Sequence, residues 1–169
     1  MSTYWSNQLK LRVLVTGGAG FIGGALIRRL LSKTSVTIFN FDKIGYASDL
    51  TSINRYLKNH DINNRYYLIK EDLYNRKKLD ELITSIDPDL VFHLAAESHV
   101  DKSIDGPEIF VKSNVLGTFN LLEVLRKHWM QLSNKRRENF KFLHVSTDEV
   151  YGSLDANNKF NEESKYAPR

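Results

Sequence analysis

Leu11-Arg12-Val13-Leu14-Val15-Thr16-Gly17-Gly18-Ala19-Gly20-Phe21-Ile22-Gly23 decides the fold. Residues 11–16 are mostly aliphatic or β-branched, the composition of a strand covered on both faces. Gly17-Gly18 ends that run. From Phe21 to Leu31, Phe21, Ile22, Leu26, Ile27 and Leu30 fall at helical spacing, with Arg28 and Arg29 on the other side. Strand, glycine turn and helix in that order open a unit whose next strand runs parallel to the first.

The turn itself points to a ligand. Gly17, Gly20 and Gly23 recur every third residue, a variant of the dinucleotide fingerprint. One glycine permits the tight turn, one lets a pyrophosphate approach the backbone, and one lets helix pack on strand. The helix start then offers unpaired N–H groups and a partial positive charge to phosphates. A glycine turn with no ligand is the bland alternative, and the acid that follows argues against it. Asp42 closes the second strand, Ser35–Phe41, 19 residues after Gly23. A carboxylate there accepts both ribose hydroxyls of an adenosine and repels a 2′-phosphate. NAD is therefore expected in preference to NADP.

Working outward, the alternation continues. Leu50–Leu57 is a weakly supported short helix, and Arg65–Lys70 is the third strand. Lys78–Ile86 is helical, with Leu79, Leu82, Ile83 and Ile86 at core spacing, and Asp87-Pro88-Asp89 is a turn. Leu90–Leu94 is a fourth, central strand. A polar segment from Glu97 to Gly106 precedes a helix expected from Pro107 to Arg126. Trp129–Asn139 reads as a charged connection, Phe140–Ser146 as the fifth strand, and the residues after Gly152 as polar coil. The expected fold is α/β, a Rossmann-like doubly wound parallel sheet.

Composition narrows the class. The 169 residues are 41% hydrophobic and 26% charged, enough for one globular domain. No apolar run approaches the roughly 20 residues of a membrane span. Residues 1–8 have no basic start leading into an apolar core, so no signal peptide is expected. The absence of cysteine removes disulfides, thiolate zinc sites and cysteine nucleophiles together. A soluble cytoplasmic protein is expected. The net charge is +4, but the basic clusters are short, and Arg76-Lys77-Lys78 lies beside Asp80 and Glu81 on a helix-like stretch. An anionic ligand accounts for that charge, and neither a nucleic acid nor a membrane is expected as a partner.

GGAGFIG, FDKIGYA, HLAAESHVDKSIDGP, KSNVLGT and STDEVYG together resemble the extended short-chain dehydrogenase/reductase family, and more narrowly its dTDP-glucose 4,6-dehydratases. The resemblance runs from about Leu11 to Pro168. It implies an NAD cofactor and a nucleotide-sugar substrate, dTDP-glucose, and it leaves a homodimer open. It places Phe21 and Ile22 at the pyrophosphate, and Asp42 with Lys43, Ile44 and Gly45 at the adenosine ribose. Asp72 and Leu73 would flank the adenine. Leu94, Ala95, Ala96, Glu97 and Ser98 would line the nicotinamide side, with Ser113 a further contact. Ser98 and Thr147 would touch the sugar. Gly45 stands where relatives carry threonine, which removes one hydroxyl from the cofactor side.

The same resemblance implies the chemistry. The sugar is oxidised at C4, loses water across C5 and C6, and is reduced at C6. Glu149 matches the base that takes the C5 proton, Asp148 the acid that releases the C6 hydroxyl, and Thr147 the donor that steadies the C4 oxygen. Out of context an Asp-Glu pair after a strand is an exposed turn or a helix cap. His93 is expected to be a satisfied core residue. His99 and Asp101 lack a third partner, so no metal is expected. The family's further acid/base tyrosine belongs to a Tyr-x-x-x-Lys on the helix after the fifth strand. Tyr46, Tyr56 and Tyr151 have no lysine four residues on, and that helix is expected beyond Arg169. Residues 1–169 are thus expected to be one incomplete NAD-binding domain, cut after about five strands and without the substrate domain. Alone it is expected to be inactive. A non-catalytic NAD-binding fragment and another nucleotide-sugar epimerase or dehydratase are the alternatives.

Overall fold

Val13 and Val15 of strand β1 (Arg12–Thr16) face one side of a sheet, while Leu14 and Thr16 face the other. The computed structural model describes residues 11–62, 64–154 and 158–168. Residues 1–8, read above for a signal peptide, and Arg169 lie outside the described residues. β2 (Thr37–Asp42), β3 (Tyr66–Lys70), β4 (Leu90–His93) and β5 (Lys141–His144) complete a parallel sheet in the order β3-β2-β1-β4-β5. The chain order reverses between β1 and β4, and open sheets of this kind bind ligands in the crevice at that switch. β5 lies at one edge of the sheet and β3 at the other.

Both faces are covered, by helices of matching periodicity. On one face α1 (Phe21–Lys33) and α2 (Thr51–Asn59) place Ile27, Leu31 and Ile53 against Val13, Val15 and Ile38. On the other, α3 (Arg76–Ile86) and α6 (Thr118–Gln131) set Leu79, Ile83, Leu121 and Val124 against Leu14, Phe41 and Val91. Each such buried side chain contributes about 1.5–3 kcal/mol of transfer free energy. The Asn75 side chain accepts from the Lys78 amide at the start of α3. The helix stops at Asp87, whose φ of 49° lies in the left-handed region ahead of Pro88. Among the described residues no helix is long and apolar enough to cross a membrane.

The structure departs from the sequence reading in three segments. The polar stretch after β4 contains a helix, α4 (Val100–Asp105), and the charged connection after α6 contains another, α7 (Asn134–Asn139). Neither buries a side chain, so neither has an apolar period to betray it. The helix expected over Pro107–Arg126 is three pieces. α5 (Pro107–Phe110) passes into a wider π-helical segment, Val111–Gly117, and α6 then runs on to Gln131. β4 and β5 are also shorter than read, ending at His93 and His144.

Candidate functional site

The register of the sheet assembles the site. Thr16 of β1 pairs with Phe41 of β2 and with His93 of β4. The next residues, Gly17, Asp42 and Leu94, therefore emerge together at the carboxyl edge. The Gly17 amide donates to the Phe41 carbonyl at 2.9 Å, and the Leu94 amide donates to the Thr16 carbonyl at 3.1 Å.

Three glycines of this segment, Gly17, Gly18 and Gly23, have no room for a side chain. Gly17 has a φ of 71°, and a Cβ there would stand 2.6 Å from the Ala95 Cα. A Cβ on Gly18 would collide with the Asn40 side chain, and one on Gly23 with the Gly17 carbonyl. Gly20 caps α1 without a side-chain hydrogen bond, and the first turn of α1 carries no acid. The amides at that helix start thus keep their affinity for an anion.

Asp42 is 7% exposed at the end of β2. Its Oδ2 accepts the Ala19 amide at 2.9 Å, and its Oδ1 accepts the Ile44 amide at 2.8 Å and the Ser48 hydroxyl at 3.0 Å. An ionised carboxylate has about four lone-pair sites. Three are taken by the protein, and the carboxylate also lines the cleft where a ligand hydroxyl would meet it. The glycine cradle, the uncapped helix start and the part-filled carboxylate fit the diphosphate and ribose of a dinucleotide.

Across the cleft, Lys43 forms an ion pair with the buried Glu97. The Asn114 side chain fixes the Glu97 peptide in both directions, accepting its amide and donating to its carbonyl at 2.8 Å each. Lys102 Nζ stands 3.1 Å from the Tyr46 ring centre, and His99 meets the same ring edge-on. Lost solvation, then the nearby Glu97 carboxylate, push the Tyr46 hydroxyl above its usual range.

Most of the expected binding residues converge. Gly17, Gly20, Asp42, Lys43, Gly45, Asp72 and Leu73 line one cleft with Leu94–Ser98 and Ser113. Gly23 is buried beneath it, and Ile44, at a φ of 56°, shapes the loop behind it. Phe21 and Ile22 do not line the cleft; they are 96% and 62% exposed at the start of α1. Thr147, Asp148 and Glu149 also lie apart from its lining, on an exposed turn after β5. Thr147 Oγ1 accepts the Glu149 amide at 3.3 Å and donates to the Asp148 carboxylate at 3.4 Å. The Val145 amide donates to the His93 carbonyl at 3.0 Å, so that turn leaves the same edge of the sheet as the cleft.

Tyr46, Ala47, Ser48 and Glu71 line the cleft without having been read as site residues. Tyr46 and Ala47 sit inside the FDKIGYA block, so their position beside Asp42 was the available signal. Asn114 had none beyond its place in KSNVLGT. Two tyrosines do have lysine four residues on, Tyr66 with Lys70 and Tyr74 with Lys78. The first pair is on β3, at the opposite sheet edge from β5, and the second spans the start of α3, so neither occupies the helix after β5. Among the described residues no group of three or more His, Cys, Asp or Glu could hold a metal ion.

Known proteins resemble this chain in sequence and in fold. The family model described as GDP-mannose 4,6 dehydratase matches residues 14–169. A probable dTDP-glucose 4,6-dehydratase of Sinorhizobium fredii is 49% identical over 158 residues, covering 94% of this chain and 44% of the relative. The crystal structure of the Bacillus anthracis dTDP-glucose 4,6-dehydratase in complex with NAD has a TM-score of 0.74 at 35% identity. It covers 94% of this chain and 44% of that one. The Streptomyces venezuelae enzyme of the same name, solved with NAD and TYD bound, has a TM-score of 0.75 at 34% identity and covers 94% and 46%. The chain spans less than half the length of these relatives.

Proposed function

The chain belongs to the GDP-mannose 4,6 dehydratase family, and from that premise we propose that residues 1–169 are the NAD-binding domain of a cytoplasmic dTDP-glucose 4,6-dehydratase. One observation carries the cofactor reading. A nearly buried carboxylate, Asp42, hydrogen-bonds the glycine turn and lines the cleft. The amides at the uncapped start of α1, those of Phe21, Ile22 and Gly23, would hold the diphosphate. Asp72 and Leu73 would flank the adenine, and Leu94–Ser98 with Ser113 would support the nicotinamide half. Bound there, NAD supplies the redox chemistry at C4 and C6 of the sugar.

The chain's own residues handle the protons of the dehydration step. Glu149 takes the proton from C5 once C4 is a ketone. Asp148 gives a proton to the C6 hydroxyl as it leaves as water. The Thr147 hydroxyl donates to the C4 oxygen, and Ser98 meets the sugar from the cleft side. An acid beside a base favours dehydration over 4-epimerisation, which expels no C6 hydroxyl.

Calorimetric titration with NAD and NADP tests the cofactor reading. NAD is expected to bind more tightly, and tighter NADP binding overturns the role of Asp42. Incubating the chain with dTDP-4-keto-glucose in deuterated water tests the proton chemistry. Exchange at C5 that disappears in Glu149→Gln supports it, and exchange that survives that substitution removes Glu149 as the base.

A further inference from the structure

We propose that His93 is a positioning residue for the cleft. As the neutral tautomer with its proton on Nε2, it orients the Thr16 hydroxyl, which in turn tethers the Ala95 amide and so sets the wall beside Gly17. The proposal rests on reading the cleft as a dinucleotide site.

His93 is 2% exposed, and the acid/base chemistry above does not use it. Its Nδ1 lies 2.6 Å from Thr16 Oγ1, and its Nε2 lies 3.0 Å from Thr118 Oγ1 at the first position of α6. Thr16 is fully buried, and its Oγ1 also accepts the Ala95 amide at 3.3 Å. A hydroxyl has one proton to give and two lone pairs to receive with. Ala95 donates to it, so the Thr16 proton needs an acceptor. Among the described residues His93 Nδ1 is the one side-chain atom placed to take it. Nδ1 is therefore bare and the ring proton is on Nε2, donating to Thr118. Thr118, on a helix, can turn its own proton to a carbonyl one turn back, which Thr16, on a strand, cannot. The opposite tautomer would aim an N–H at Thr16 and leave the Thr16 proton buried without a partner.

The consequence falls on the cleft wall. β4 ends at His93, so Ala95 has no place in the strand ladder. What holds the chain there is Thr16: its carbonyl accepts the Leu94 amide and its hydroxyl accepts the Ala95 amide. Gly17, the next residue, lies directly against Ala95. A shift of Ala95 by a few tenths of an ångström therefore alters the gap a flat ligand enters. Two rings of β5 also flank His93, His144 edge-on at 4.9 Å and Phe142 tilted at 6.2 Å.

The test uses the ¹⁵N-labelled chain, its Thr16→Val variant, which keeps the shape and loses the hydroxyl, and Thr16→Ser, which keeps the hydroxyl. Long-range ¹H–¹⁵N correlation should show the His93 proton on Nε2. Thr16→Val should speed hydrogen exchange of the Ala95 amide and weaken NAD binding by roughly tenfold, the worth of one hydrogen bond. Thr16→Ser should restore both. A ring proton on Nδ1 overturns the proposal, and so does a Thr16→Val variant with unchanged Ala95 exchange. If Thr16→Val does not fold, the wild-type ring signature decides. If the wild-type chain binds no NAD, the cofactor reading fails, while ring signature and Ala95 exchange still decide this proposal.

Discussion

The Asp42 carboxylate holds the Ala19 amide at 2.9 Å, so the acid that ends β2 and the glycine turn after β1 form one hydrogen-bonded unit. The same carboxylate orders the loop behind it through Ile44 and Ser48. Asp42→Asn replaces one acceptor oxygen with an NH₂ group that faces protein donors. A buried donor left without its acceptor costs about 1–3 kcal/mol, so thermal melting should move down visibly. Removing the charge should also narrow the preference for NAD over NADP, because nothing then repels a 2′-phosphate. Calorimetry with both dinucleotides reads this, and an unchanged preference takes the charge of Asp42 out of the selection.

Gly17→Ala should be among the most damaging single substitutions in the chain. The left-handed backbone alone costs a side chain about 1–2 kcal/mol. The added methyl would also meet the Ala95 Cα at 2.6 Å, and backbone tied to β4 has little freedom to retreat. A total loss of roughly 3 kcal/mol or more is expected from strain and overpacking together. Urea unfolding measures it, and a midpoint equal to wild type contradicts the close approach.

His93 makes stability fall in acid. Burial first, then the charge of His144, push the His93 imidazole down from 6.5 to about 4. The unfolded chain binds a proton at this ring that the folded chain refuses. The contribution is therefore complete above pH 6.5 and is lost progressively as pH falls toward 4, amounting to roughly 3 kcal/mol over that window. Unfolding free energies for wild type and His93→Gln across pH 4–7 should diverge least at the acid end. Parallel curves would mean that the ring titrates normally.

At the opposite end of the sheet, Arg136 grips Asp87 with two hydrogen bonds of 3.0 and 2.8 Å and reaches Asp89 at 2.8 Å. Partial burial raises the Asp87 carboxyl, but Arg136 and Arg12 outweigh it and hold the group below its usual range. This support is present above the unfolded carboxylate range and fades as pH drops through it. Arg136→Met should cost about 1–2 kcal/mol after allowance for its partial exposure. Lys127→Met breaks an exposed pair with Asp80 and should cost less than about 0.5 kcal/mol. Equal losses in chemical denaturation would show that the Arg136 network adds nothing beyond a surface pair.

The sequence by itself determined the sheet and the half of the site that hangs on it. Strands such as 11–16 and 90–94 are apolar runs bounded by glycine or by a proline turn, and helices α1 and α3 repeat their apolar residues at the helical period. Those signals are local, and the parallel register then forces Gly17, Asp42 and Leu94 to one edge. Tertiary structure alone decided the rest. Helices α4 and α7 bury nothing and have no period to read. The three donors on Asp42 come from Ala19, Ile44 and Ser48, and only the closed loop brings them to it. The link from His93 through Thr16 to Ala95 joins residues 77 and 79 positions from Thr16, and no spacing rule spans that distance. A hydrogen bond between strands depends on which atoms the register brings into reach, and the chain fixes that only when it has folded.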